Sequence, residues 1–177
     1  MDRRTLLAGF AVLPLAGTAN AEQYLTETEA ARILYPDADG FDDTTEPLDK
    51  DTVKAIRKQS GIRVRSKKVR ALRAAAGGET LGWVYIDEVI GKHEFITYAA
   101  GIDPGGTVRG VEILDYRETW GGEVRTEDWR AQFIGHTPSD PPQLGKNIVN
   151  ISGATLSCRN VTDGVSRLLA THVILGR

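Results

Sequence analysis

Cysteine is all but missing from this chain: Cys158 stands alone among 177 residues, so no internal disulfide can staple the fold and no cysteine set can hold zinc. Histidine is nearly as scarce, and His93, His136 and His172 lack the spacing of metal ligands, so no metal site is assigned. No glycine loop of the nucleotide-binding kind and no nucleophile–histidine–acid set is visible, and no residue is assigned a catalytic role. Neither sign of charge dominates, the formal net charge being −2, and nothing points to nucleic acid as a partner. Apolar runs are short as well. None reaches the roughly 20 residues that span a bilayer. What remains is 41% apolar residues, enough for one core of ordinary domain size held by packing alone.

Residues 1–21 have the three parts of a secretory leader: Arg3-Arg4, the apolar run Leu6–Ala16 broken by Gly9 and Pro14, and Ala19-Asn20-Ala21 as a small-residue cleavage site. Cleavage is expected after Ala21, leaving no transmembrane segment in the mature chain. The opening Asp2-Arg3-Arg4-Thr5-Leu6-Leu7 resembles a twin-arginine signal, and paired arginines also occur in Sec leaders; either route ends in the periplasm.

Thr26-Glu27-Thr28-Glu29 places a hydroxyl three residues before a Glu, and Ala30, Ile33 and Leu34 follow at helical spacing, predicting a capped helix from Thr26 to Tyr35. Asp37–Pro47 is acidic and turn-rich, which reads as an exposed loop. Asp49 caps a second helix, Asp51–Gln59, ending at Gly61. From Ile62 the pattern turns to period two, predicting strands over Arg63–Arg65, Val69–Arg73, Leu81–Val89, Glu94–Ile102 and Thr107–Tyr116, with Asp103-Pro104-Gly105-Gly106 as a hairpin turn. Lys54 to Arg73 holds nine Lys and Arg and no acid; it reads as a solvated face, or as a docking face for an acidic or anionic partner. Lys92 and His93 read as hairpin surface. Arg117–Val124 is a loop, Thr126–Phe133 a short helix, and Ser152 is expected to cap a last helix that buries Val161, Val165, Leu168, Leu169 and Val173. Helices, then antiparallel strands, then a helix make the class α+β, with a sheet of about four to six strands. Residues 22–78 supply the N-terminal helices and first strands, and 79–177 the remainder of one compact unit.

The run Ile151-Ser152-Gly153-Ala154-Thr155-Leu156-Ser157 opens that helix with small residues. A helix N-terminus presents unpaired N–H groups and a partial positive charge that stabilise a phosphate, and Gly153 and Ala154 leave space for one. Thr155 supplies a first-turn hydroxyl, with Cys158 and Thr162 three and seven residues on along the same face; Cys158 reads as a small core residue. Taken alone, Ser-Gly-Ala-Thr is an ordinary helix start, and plain capping is the reading that spacing by itself favours.

The same run is similar to the flavinylation motif of the FMN-binding domain family, which includes the covalent-FMN subunits of sodium-pumping NADH:quinone oxidoreductase and of Rnf complexes. Gly101-Ile102-Asp103, Gly106, Val108–Leu114 and Arg117-Glu118-Thr119 resemble the family's hairpin and following loop, and Trp129 and Phe133 fit aromatics that follow it. The resemblance covers about Gly82 to His172. Trp120-Gly121-Gly122 stands where the family often has Pro-Gly, and Val149-Asn150-Ile151 where an acidic residue commonly precedes the motif.

The resemblance implies FMN joined by a phosphoester to Thr155, with Ser152, Gly153, Ala154 and Ser157 shaping the phosphate site. It implies that Glu118, Thr119, Trp120, Gly121 and Gly122 line the isoalloxazine pocket. The implied partners are a flavin transferase (FAD:protein FMN transferase) and a membrane or periplasmic redox protein. No pocket with acid and base residues is apparent, so an electron carrier is favoured over a turnover enzyme. A reductase of a small acceptor, or a non-redox binding or assembly module of the same fold, is the alternative.

Overall fold

The computed structural model describes residues 22–118 and 121–177. The expected leader lies outside the described residues, as do Thr119 and Trp120.

Local chemistry sets the first helices. α1 (Glu27–Leu34) opens on a full capping box: Thr26 Oγ1 accepts the Glu29 N–H at 3.2 Å, and the Glu29 carboxylate accepts the Thr26 N–H at 2.8 Å. α2 (Lys50–Ser60) starts where the Asp49 carboxylate accepts the Thr52 N–H at 2.7 Å and stops at Gly61, whose φ of 72° a side chain would resist.

The centre is an antiparallel sheet in the order β1-β7-β6-β5-β4-β2. Its strands are β1 (Glu22–Gln23), β2 (Gly40–Asp43), β4 (Lys68–Ala76), β5 (Glu79–Ile90), β6 (Phe95–Ile102) and β7 (Val108–Tyr116), and β3 (Glu46–Pro47) also pairs with β4. Period-two alternation divides the core between its faces. Ala74, Val84, Ile86, Ala99 and Leu114 face α1, while Tyr85, Ile96, Tyr98, Ile102 and Ile113 face the last helix, α4 (Thr155–Ile174). The short α3 (Glu127–Ala131) adds Trp129 to the α4 side, and Phe133 follows it there. The fold is α+β, with helices on both faces of the sheet.

Four elements depart from the sequence pattern. Ile62–Lys67 is irregular, with alternating exposure but no partner strand, and β4 begins only at Lys68. The acidic stretch 37–47 is not loop throughout: β2 and β3 lie in it, because β4 offers a free edge to which they add. Ser152 does not cap α4. Gly153 takes a φ of 86° and turns the chain, so the helix starts at Thr155, with Ala154 as an N-cap whose side chain makes no capping bond. Val173 is 45% exposed rather than buried, since it lies on the side of α4 turned from the sheet, while the adjacent His172 is buried against Tyr85.

Candidate functional site

Three segments distant in sequence meet at the start of α4. The first is the 149–157 run itself. Its approach is pinned by α3: Trp129 Nε1–H donates to the Val149 carbonyl at 2.9 Å, and the Val149 N–H donates to Gln132 Oε1 at 2.8 Å. The Ala154 N–H then closes a turn on the Ile151 carbonyl at 3.0 Å, and the first helical bond runs from the Cys158 N–H to the Ala154 carbonyl at 2.9 Å. The N–H groups at the start of α4 therefore precede its ladder and have no partner within it. Thr155 is the first helical residue and is exposed; its Oγ1 accepts a hydrogen bond from Asn150 Nδ2 at 3.1 Å.

The second segment is the loop after β7. Gly121, with φ 85°, presses on the helix start: a Cβ there would lie 2.7 Å from Ala154 Cβ and 2.8 Å from the Tyr116 hydroxyl. A glycine is required on both counts. Gly122 opens a 3-10 turn over Gly122–Arg125, and Arg125 fastens it by donating Nε–H to the Gly122 carbonyl at 3.1 Å while its guanidinium lies 4.2 Å from the Tyr24 ring centroid.

The third is the β5–β6 turn. The Glu118 carboxylate accepts the His93 N–H at 2.5 Å and the Glu94 N–H at 3.0 Å, tying the turn to the loop. Burial pushes this carboxyl up, but the N–H groups of Glu94, His93 and Lys92 outweigh it and hold it below its ordinary range. Lys92, His93, Glu118 and Gly153–Ser157 together line a cavity of about 490 Å³.

Most of the expected site residues are thus brought together. Gly153, Ala154, Thr155 and Ser157 line the cavity, Gly121 backs it, and Ser152 is an exposed turn residue beside it. Ser157 is buried and faces Tyr116, the two hydroxyls 3.4 Å apart; burial raises the Tyr116 phenol. Glu118 lines the cavity while its carboxylate is occupied by the turn, a structural duty beyond any ring contact. Thr155, Cys158 and Thr162 do not share one environment: Thr155 is exposed, whereas Cys158 and Thr162 are in the core, and burial raises the Cys158 thiol so that it stays protonated. His172 is buried with Nδ1 2.9 Å from the Tyr85 hydroxyl. Lys92 and His93, read as plain hairpin surface, are cavity wall. Asn150 and Gln132 carry no local signal of their positions, which depend on the packing of α3 against residue 149.

Residues 91–170 match the profile of the FMN-binding domain family. The fold is similar to that of a Na(+)-translocating NADH-quinone reductase subunit from Parabacteroides distasonis, with a TM-score of 0.53 at 14% identity, covering 86% of this chain and 84% of that one. It is also similar to NqrC of Shewanella oneidensis, with a TM-score of 0.49 at 15% identity, covering 81% and 74%. No curated protein matches the chain. No helix among the described residues is long and apolar enough to cross a membrane, and no group of three His, Cys, Asp or Glu among them is placed to hold a metal.

The residues present fit FMN. An open helix N-terminus, an exposed hydroxyl within its first turn and the Lys92 side chain on the cavity wall suit a phosphate. The glycine at position 121 lets the loop close on the helix without filling the cavity.

Proposed function

We propose that this chain is an exported electron-transfer flavoprotein whose FMN is joined through its phosphate to Thr155. The observation that carries this reading is the exposed Thr155 hydroxyl at the mouth of the cavity, on the first residue of a 20-residue helix. The N–H groups of that first turn and the helix dipole hold the phosphate oxygens. Asn150 donates to Thr155 Oγ1, which leaves the hydroxyl's own proton directed away and open to removal. Attachment would replace that proton: Oγ1 would bond to the FMN-side phosphorus of FAD, the bond from that phosphorus to the bridging oxygen would break so that AMP leaves, and a base of the flavin transferase would take the proton. When bound, FMN supplies one- and two-electron chemistry, and this chain's part is to fix its position and surroundings.

Export follows from residues 1–21, and a covalent bond suits the periplasm, where a dissociated cofactor would be lost. The likeness of fold to a subunit of a quinone reductase supports electron transfer, with a membrane or periplasmic redox protein as exchange partner. The chain is coexpressed with a flavin transferase, denatured and inspected for in-gel flavin fluorescence. Wild type is expected to fluoresce and Thr155→Ala to be dark. A fluorescent Thr155→Ala band overturns the attachment site.

A further inference from the structure

A second cavity, of about 650 Å³, lies along α4 beyond the flavin site. Its helical wall begins at Asn160, five residues after Thr155 and so about 8 Å further along the axis at 1.5 Å per residue. The facing wall is the irregular strap Ile62–Lys67, and the volume falls within the usual range for small-ligand sites. Two properties of the lining define what it can take.

Its lining is mixed, with an apolar floor: Asp87, Asn160, Asp163, Arg167 and Thr171 share the walls with apolar side chains. Val69, Val89 and Leu168 are at most 8% exposed, and Leu48, Ile62 and Val64 add partly buried surface. At its mouth the cross-strand pair Ile90 and Phe95 is left 37% and 50% exposed.

Its charge is positive in one place. The Arg167–Asp87 ion pair, completed by the Tyr98 hydroxyl donating to Asp87 at 2.6 Å, is internally neutral. Asp163 feels Arg159 and Arg167, one helical turn to each side, and the exposed Glu88 contributes to the field at Arg117. Arg70 is paired with Glu27. Arg63 and Arg65 remain, in no ion pair among the described residues, beside Lys68, which is felt by the exposed Asp43. The N–H groups of Arg63, Val64 and Arg65 likewise donate no hydrogen bond among the described residues. The accessible apolar surface of Leu48, Ile62, Val64, Ile90 and Phe95, beside cations and unpartnered backbone N–H groups on one lip, matches an anionic head on an apolar body. A cavity of about 650 Å³ takes a single small molecule rather than a flat surface.

We propose that this cavity binds one monomeric amphiphile with an anionic head, of the medium-chain carboxylate or alkyl phosphate class. The head lies at Arg63 and Arg65, and the chain lies against Leu48, Ile62 and Val64 over the floor formed by Val69, Val89 and Leu168. This is independent of the flavin attachment.

Calorimetric titration of the purified chain with dodecanoate below its micellar concentration tests it. Saturable one-to-one binding is expected, with dodecyltrimethylammonium at least about tenfold weaker and Arg63→Gln/Arg65→Gln losing about tenfold in affinity for dodecanoate, which a lost charge-assisted contact of ~1.4 kcal/mol would produce. Both arginines are exposed, so an unchanged melting temperature will show that the double variant is folded. Val64→Arg, which places a cation in the apolar wall, is expected to weaken binding while leaving that temperature unchanged. Absence of saturable binding, equal affinity for the cationic detergent, or undiminished affinity in the double variant overturns the proposal. So does sedimentation with phosphatidylglycerol vesicles in the absence of dodecanoate binding, which would make the basic strap a membrane-adsorbing surface.

Discussion

At the scale of the residue, two positions separate steric need from chemistry. Gly121→Ala introduces a methyl between Ala154 and the Tyr116 hydroxyl and holds a left-handed φ that alanine resists. The loop must move off the helix, at an expected cost of about 1–3 kcal/mol in chemical denaturation and with reduced flavin incorporation in the gel assay. Asn150→Ala removes the hydrogen bond to an exposed hydroxyl, so stability should change by less than about 0.5 kcal/mol while covalent flavin falls, which a time course of fluorescence would read. His172 gives a pH dependence. Burial lowers its pKa from 6.5 to about 4, the Arg177 charge adding to the effect. The ring is neutral in the fold and gains a proton more readily when unfolded. Stability is therefore full above pH ~6.5 and falls as pH drops toward 4, by about 3 kcal/mol from this group. Denaturation midpoints at pH 7.5 and 4.5 should diverge more in wild type than in His172→Gln.

At the scale of the element, α4 shows which of two effects wins. Gly164 sits mid-helix, where alanine ordinarily adds about 1 kcal/mol of helix stability. Here a Cβ would run into the Tyr98 hydroxyl and come within 3.2 Å of Val89, and the fully buried Tyr98 is held by its bond to Asp87. Gly164→Ala is expected to destabilise by about 1–3 kcal/mol despite the better propensity, and a lowered melting temperature checks it. The elements also show what a sequence can reveal. The capping box at Thr26 and the stops at Gly61 and Gly106 are decided within a few residues, so they were legible. The strands β5, β6 and β7 alternate strongly enough to be found within a residue or two of their ends. Arg63–Arg65 alternates equally well and is no strand, because a strand needs a partner and β4 has already taken β2 and β3. Ser152 has a good capping side chain, yet the left-handed Gly153 beside it decides where the helix starts. The part of the cavity wall formed by Gly153–Ser157 was legible since one short run carries it. Lys92, His93 and Asn150 were not, as only the closure of the sheet and the docking of α3 bring them to Thr155.

At the scale of the whole molecule, the C-terminal end of α4 is tied back to the sheet's far edge. Arg177 bonds Glu46 and the Thr44 carbonyl, the latter at 2.8 Å, while its guanidinium stands over the Tyr85 ring. Nothing in the nearby sequence signals this link across the fold. Arg177→Ala leaves both acceptors without their partner and is expected to cost about 1–2 kcal/mol, read by chemical denaturation.

The Gly121–Ala154 contact bears on time as well as shape. The cavity gathers residues from 92–93, 118 and 153–157, so its walls come together only after the start of α4 has docked on the β5–β6–β7 meander, a contact of high sequence separation and of the kind that forms slowly in folding. Under the proposed attachment, a chain that has not finished folding presents a threonine but no built acceptor. Covalent flavin would then serve as a permanent stamp of maturation, borne by molecules that reached the native topology.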